Sequence, residues 1–221
     1  MNDDSIQGRF ISFEGIDGCG KSTQLRLAEA WLRQRGIDVV ATREPGDTPL
    51  GAEIRRLLLD GEHVPCAEAE LFLFLADRAE HVQKLIRPAL ERGAWVLCDR
   101  YSDSTLAYQL AARSLSAETD VIETLLHVAE CGVKPQLTLW FDLDPETAAT
   151  RMRRRRQEGE AATRLDDEAD AFHRRVASGF AKLHRRFPER IHRIDAGAGI
   201  EDIHRRVVAR LQSVWPELAD A

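Results

Sequence analysis

"FEGIDGCGKST", Phe13 to Thr23, decides what kind of chain this is. Inside it Gly15–Ser22 reads G-x-x-x-x-G-K-[ST], and the flanks give that motif the context it needs. The apolar run Phe10–Glu14 before it predicts a strand. After it Leu25, Ala28, Trp31 and Leu32 recur at helical spacing, predicting a helix over Ser22–Arg35 that Gly36 stops. In such a loop, Gly15, Ile16, Asp17, Gly18, Cys19 and Gly20 turn successive backbone N–H groups inward on phosphates, and the helix N-terminus adds its positive dipole. Lys21 would bridge the β- and γ-phosphates, the Ser22 hydroxyl would ligate Mg²⁺, and Thr23 continues the helix from the loop. Alone, the motif specifies a nucleoside triphosphate and no more.

Working outward, the segments "IDVVATRE", "AWVLCDR", "QLTLWFDL" and "IHRIDA" predict four further strands. Helical patterns separate them, over Leu50–Leu59, Glu68–Arg92 (bent or restarted at Pro88), Ser104–Arg113, Ala117–Glu130, a segment starting near Pro145, Asp166–Phe187 and Ile200–Val214. Alternation of this kind predicts an α/β fold of the P-loop NTPase type, with a five-stranded parallel sheet covered by helices on both faces. Ligands in such sheets bind beyond the carboxyl ends of the strands.

With 221 residues, the chain is expected to form one domain over 1–221, since single domains run to roughly 200–250 residues. The polar, acidic start "MNDDSIQGR" has no apolar targeting segment, no apolar run is long enough to span a membrane, and a cytoplasmic location is expected. Cys19, Cys66, Cys98 and Cys131 form no C-x-x-C pair, so free thiols are expected rather than a zinc site or disulfides. A formal net charge of -6 argues against a dedicated nucleic-acid binder. One stretch pulls the other way: "RMRRRRQEG" puts five arginines at Arg151 and Arg153–Arg156.

"WVLCD" ends at Asp99, whose carboxylate would hold the metal, orient Arg100 or cap a helix. A guanine-reading N-K-x-D is absent after the fourth strand, where "DPET" stands, which excludes a GTPase of the usual kind. Arg43 and Arg100 follow strands and Arg78 lies on an intervening helix. Convergent arginines suit a second anionic substrate opposite the triphosphate, because guanidinium binds phosphate bidentately.

From about Arg9 to Trp215 the chain resembles the thymidylate kinase family, on the motifs "FEGIDGCGKST", "TREPGDTPLG", "LFLFLADRAEHV", "IRPALERGAWVLCDRYSDSTLAYQ", "KPQLTLWFDLDPE" and "TRLDDEADAFHRRV". The resemblance implies transfer of a phosphoryl group from ATP to dTMP, Mg²⁺ as the metal, ATP and dTMP as partners with neither nucleic acid nor membrane, and a homodimer. It implies that Asp17 contacts the deoxyribose 3′-hydroxyl, and that Phe74 and Arg78 stack on thymine and donate to its O4. Arg100 would hold the acceptor phosphate, with Arg55 a second candidate. Glu44, Pro45 and Thr48 shape the acceptor loop, and Thr105, Tyr108 and Gln109 line the thymidine. Phe74 and Tyr108 have a plainer reading, as core packing. The family usually reads "EPGGT" where this chain has "EPGDT", so Asp47 either points outward or the turn differs.

Some thymidylate kinases carry a basic residue directly after the loop aspartate, where this chain has Gly18. The other, bacterial kind supplies positive charge from a mobile lid after the fourth strand, and the arginine run lies there, in a lid of about 151–166. Helical spacing puts Arg151, Arg154 and Arg155 on one face and Arg153 and Arg156 on another. Arg153 is the first candidate for the catalytic lid cation, then Arg151 and Arg156, with Arg164 folding into the closed lid. Two alternatives remain: a deoxynucleoside kinase using Glu14 as base, and a regulatory nucleotide switch.

Overall fold

A computed structural model describes residues 7–60, 64–113, 115, 119–159, 168 and 170–219. Five strands, β1 (Phe10–Glu14), β2 (Val39–Arg43), β3 (Trp95–Asp99), β4 (Leu137–Asp142) and β5 (Ile191–Asp195), form one sheet in the order β2-β3-β1-β4-β5. Every pairing is parallel, with Phe13 opposite Asp99 on one side and Leu139 on the other. This is the sheet expected from the alternating pattern, with β1 and its loop at the centre.

Near-continuous apolar strands follow from burial on both faces. Ile11, Phe13, Leu97, Leu139 and Phe141 point to one face, where they join Leu25, Ala28 and Leu32 of α1 (Lys21–Arg33) and residues of the C-terminal helix Ile200–Val214 in one core. Phe10, Val96 and Cys98 alternate with them and pack on Val82, Ile86, Leu90 and Tyr101. Fully burying one such side chain stabilises the fold by about 1.5–3 kcal/mol, so truncating the fully buried Phe141 of β4 would cost more than a typical surface change.

Three expected helices differ in detail. The helix after β2 is α2 (Pro49–Arg55), capped by Thr48, whose hydroxyl accepts from the Gly51 N–H at 2.9 Å, and it widens into a π-helical turn over Arg56–Asp60. The long pattern over Glu68–Arg92 divides into α3 (Ala67–His81), a π-helical segment Val82–Ile86, and α4 (Arg87–Glu91), whose first turn contains Pro88. The pattern after β3 divides likewise into α5 (Ser102–Thr105) and a wide segment Leu106–Ala112. Then come α6 (Thr119–Ala129), α7 (Pro145–Gln157), α8 (Asp170–Arg186) and α9 (Ile200–Val214). Arg164 and the part of the lid beyond Gly159 lie outside the described residues. All four cysteines are free thiols, and no described helix is long and apolar enough to cross a membrane.

Candidate active site

The loop between β1 and α1 takes its shape from glycines at positive φ: Gly15 at 144°, Gly18 at 82° and Gly20 at 97°. A Cβ on Gly18 would stand 2.6 Å from the Ala148 carbonyl oxygen and 3.1 Å from Met152 Cγ, so α7, the helix of the arginine run, lies directly on the loop. That contact is the physical reason this loop has no side chain at position 18. Lys21 is buried, with Nζ donating to the Ile16 carbonyl at 3.3 Å and lying 3.8 Å from Asp17 Oδ1. Ser22 Oγ donates to Asp99 Oδ2 at 2.5 Å, bringing a hydroxyl and a carboxylate to one point beside the loop.

Arg100 follows β3 with a φ of 72°, a left-handed conformation rare outside glycine. Its N–H donates to the Phe13 carbonyl at 3.0 Å and its carbonyl accepts from the Cys98 thiol at 3.0 Å, which fixes the turn. The guanidinium donates to Asp17 Oδ1 at 2.7 Å, to Ser104 Oγ at 3.0 Å and to the Tyr108 hydroxyl at 3.0 Å, and the Tyr108 hydroxyl donates to Asp17 Oδ2 at 3.1 Å. Burial opposes ionisation of Asp17, but Arg100 and Lys21 outweigh it and hold the carboxyl well below the usual carboxylate range. Tyr108 is both wall and core, with its ring edge-on to Phe172 and Phe180.

Across the cleft Arg78 is 2% exposed, donating from Nε to Glu44 Oε2 at 2.9 Å and from Nη1 to Thr105 Oγ1 at 2.9 Å. Half-buried Phe74 lies one helical turn before it. Gln109 donates to Glu70 Oε1 at 3.1 Å, and Arg55 donates to the Pro45 carbonyl at 3.0 Å. Asp47 turns its carboxylate away from the cleft, accepting from Thr42 Oγ1 at 2.7 Å with Arg43 3.9 Å off. Of the two readings of "EPGDT", the structure takes the outward one.

A cleft of about 320 Å³ joins these groups: Asp17, Lys21, Ser22 and Asp99 at one end, Glu44, Pro45, Arg55, Phe74, Arg78, Arg100, Thr105, Tyr108 and Gln109 along the rest. Thr48 is buried as the α2 cap, not at the cleft wall. Arg151 is outside the lining, and Arg153 and Arg156 line a neighbouring cavity between α7 and α8 that touches Ile16 and Asp17. The arginine that does reach the cleft is Arg155, which was not among the residues expected there. Its signal was present, since it sits one turn beyond Arg151 on the same face. Ser104, Tyr101 and Leu59 also line the cleft unread, because hydroxyl, ring and leucine carry no motif of their own.

Glu14, the base that a nucleoside kinase would need, is fully buried. Its oxygens accept from the Tyr101 N–H at 2.7 Å and the Ser104 hydroxyl at 2.6 Å, and burial, helped by Asp103, pushes its carboxyl up to about 8.

The family model described as thymidylate kinase matches residues 13–207. The chain is 48% identical over 198 residues to the thymidylate kinase of Alkalilimnicola ehrlichii, an alignment covering 89% of each. It is 50% identical over 192 residues to that of Gloeobacter violaceus, covering 87% of this chain and 89% of the relative. Among solved structures, thymidylate kinase from Ehrlichia chaffeensis superposes with a TM-score of 0.75 at 33% identity, covering 93% of this chain and 98% of the other. Motif, cleft and relatives agree, and the chain belongs to the thymidylate kinase family.

Proposed function

We propose that this chain transfers the γ-phosphoryl group of ATP to dTMP, giving dTDP and ADP. The observation that carries the reading is a single cleft in which a phosphate loop with its Lys21 faces a second anion site, Arg100 braced by Asp17 and Tyr108. The loop N–H groups and Lys21 hold the donor phosphates. Arg100 and Arg55 hold the acceptor phosphate, Asp17 accepts from the deoxyribose hydroxyl, and Phe74, Arg78, Thr105 and Gln109 enclose the base.

Ser22 and Asp99 offer two hard oxygen donors 2.5 Å apart, a set that suits Mg²⁺. When bound, that ion supplies charge neutralisation on the β- and γ-phosphates. No general base is required, because the second pKa of dTMP lies near about 6 and its phosphate is already dianionic at neutral pH. Catalysis then rests on alignment and on cations at the developing charge, with a lid arginine completing them. The buried, engaged carboxyl of Glu14 counts against the nucleoside kinase alternative, which would have to free it.

In this reading residues 1–221 act as one domain with a lid over about 151–166, as a homodimer working in the cytoplasm. Exposed Leu57 on the turn after α2, Phe72 on α3, and Val121 and Val128 on α6 support a dimer face there. The test is a coupled ADP assay with Mg-ATP and either dTMP or thymidine. Turnover with dTMP alone is expected, and turnover with thymidine alone overturns the proposal.

A further inference from the structure

Behind the Arg78 wall lies a line of buried polar groups that phosphoryl transfer does not use directly. It runs from the half-exposed Asp47 through Thr42 and His81 to Glu44, where Arg78 is held. His81 has no exposed surface, and Thr42 and Glu44 are 5% exposed.

Counting hydrogens along this line fixes its polarity. Glu44 Oε1 lies 2.9 Å from His81 Nδ1 and, as a carboxylate oxygen, can only accept, so Nδ1 carries a proton. Asp47 Oδ2 lies 2.7 Å from Thr42 Oγ1 and also only accepts, so the single hydroxyl hydrogen of Thr42 points to Asp47. Thr42 Oγ1 therefore presents a lone pair to His81 Nε2, 2.7 Å away, and Nε2 must carry a proton too. With the glycine usual at position 47, the Thr42 hydrogen would be free to turn to Nε2 and a neutral ring would suffice.

The charges around the ring agree. Glu44 lies against it from the loop after β2, Asp77 from its own helix and the Cys98 thiol from β3, Asp47 stands behind Thr42 with Arg43 3.9 Å away, and Arg78 is the neighbouring cation. Asp77, pushed up by burial and by Glu44 to about 6, is still largely ionised at neutral pH. Arg78 takes Glu44 Oε2, so His81 is the group that meets Oε1.

We infer that His81 is a positioning residue for base recognition: a doubly protonated imidazole, kept so by Asp47 acting through Thr42, that pins the Glu44 carboxylate beneath Arg78. The Arg78 guanidinium is thereby fixed on two sides, by Glu44 and by Thr105, before any base arrives. The inference deepens the dTMP kinase reading and rests on it.

Two measurements test it. In ¹⁵N-edited NMR of the wild-type chain, both ring nitrogens of His81 are expected to be protonated through the neutral range, and Asp47→Gly is expected to strip Nε2 alone. One bare nitrogen in the wild type, or no change on Asp47→Gly, overturns the inference. In kinetics, His81→Leu is expected to raise the dTMP KM about tenfold with kcat and ATP KM within about twofold. His81→Asn, which keeps a donor to Glu44, should recover most of that loss. Equal changes in both KM values, or no rescue by asparagine, also overturn it. If the His81 variants fail to fold, the NMR comparison still decides. A wild-type chain without dTMP-dependent turnover would instead overturn the kinase reading, and the positioning role with it.

Discussion

Arg78 and Arg100 lie inside the protein, bonded to Glu44, Thr105, Asp17, Ser104 and Tyr108, whereas Arg153, Arg154, Arg155 and Arg156 are exposed on successive sides of α7. The same residue type is thus built in two ways within one site. The first pair is desolvated and aimed in advance, so binding a phosphate or a base costs little further ordering. The run is exposed, with Arg153 donating to Thr150 and Arg154 beside Glu158, so an arginine drawn from it must exchange surface surroundings for the nucleotide at the moment of use. The difference matches two tasks: holding a substrate that arrives, and meeting charge that develops only in the transition state.

That comparison can be broken most sharply at Arg100. Arg100→Ala is expected to lower kcat/KM for dTMP by roughly 10³-fold, since it removes a preorganised cation. It also strands Asp17 beside Lys21 alone, so a drop in thermal stability should accompany it. A loss below about tenfold would show that preorganisation matters less than the fold suggests.

The run offers the next test. Arg155→Ala is expected to lower kcat by at least about tenfold with little effect on dTMP KM, and Arg153→Ala is expected to cost less. Steady-state kinetics on the two variants rank them, and the reverse order would return the role to Arg153, the candidate favoured by spacing alone. The same preparations should show no salt-sensitive binding to DNA at physiological ionic strength if the run serves the nucleotide as proposed.

The smallest effect concerns the buried side only. A carboxyl raised to about 8 means the folded state binds a proton that the unfolded chain releases at lower pH, so Glu14 stabilises the fold in acid and loses that contribution as pH rises towards 8. Wild-type melting temperature should therefore fall between about pH 4.5 and about pH 8. Glu14→Gln, which keeps an acceptor for the Tyr101 N–H, should flatten that slope. An unchanged slope would place the titration elsewhere.

Much of this was legible in the chain before its fold. β1 falls on the residues its apolar pattern names, and the phosphate loop, Asp99 and Arg100 follow strands as parallel-sheet logic requires. Legibility failed where contact depends on distance along the chain. Asp17 and Arg100 are 83 positions apart, and Thr42 and His81 39 apart, and no periodicity joins either pair. Order across the sheet was equally hidden, since alternation predicts parallel strands but not that β1 lies between β3 and β4. The π-helical turns at Arg56–Asp60 and Leu106–Ala112 left no trace either, because a widened turn keeps the apolar spacing of an ordinary helix nearly intact.

The seat of α7 on Gly18 has a consequence for how such enzymes can be altered. Loop and α7 share one van der Waals surface here, so they would have to be engineered as a unit. Grafting a basic side chain onto position 18 would drive its Cβ into the Ala148 carbonyl and lift the helix that carries the arginines. The two ways of supplying the catalytic cation are therefore sterically exclusive in this scaffold, and a chimera must exchange both segments together to keep either one.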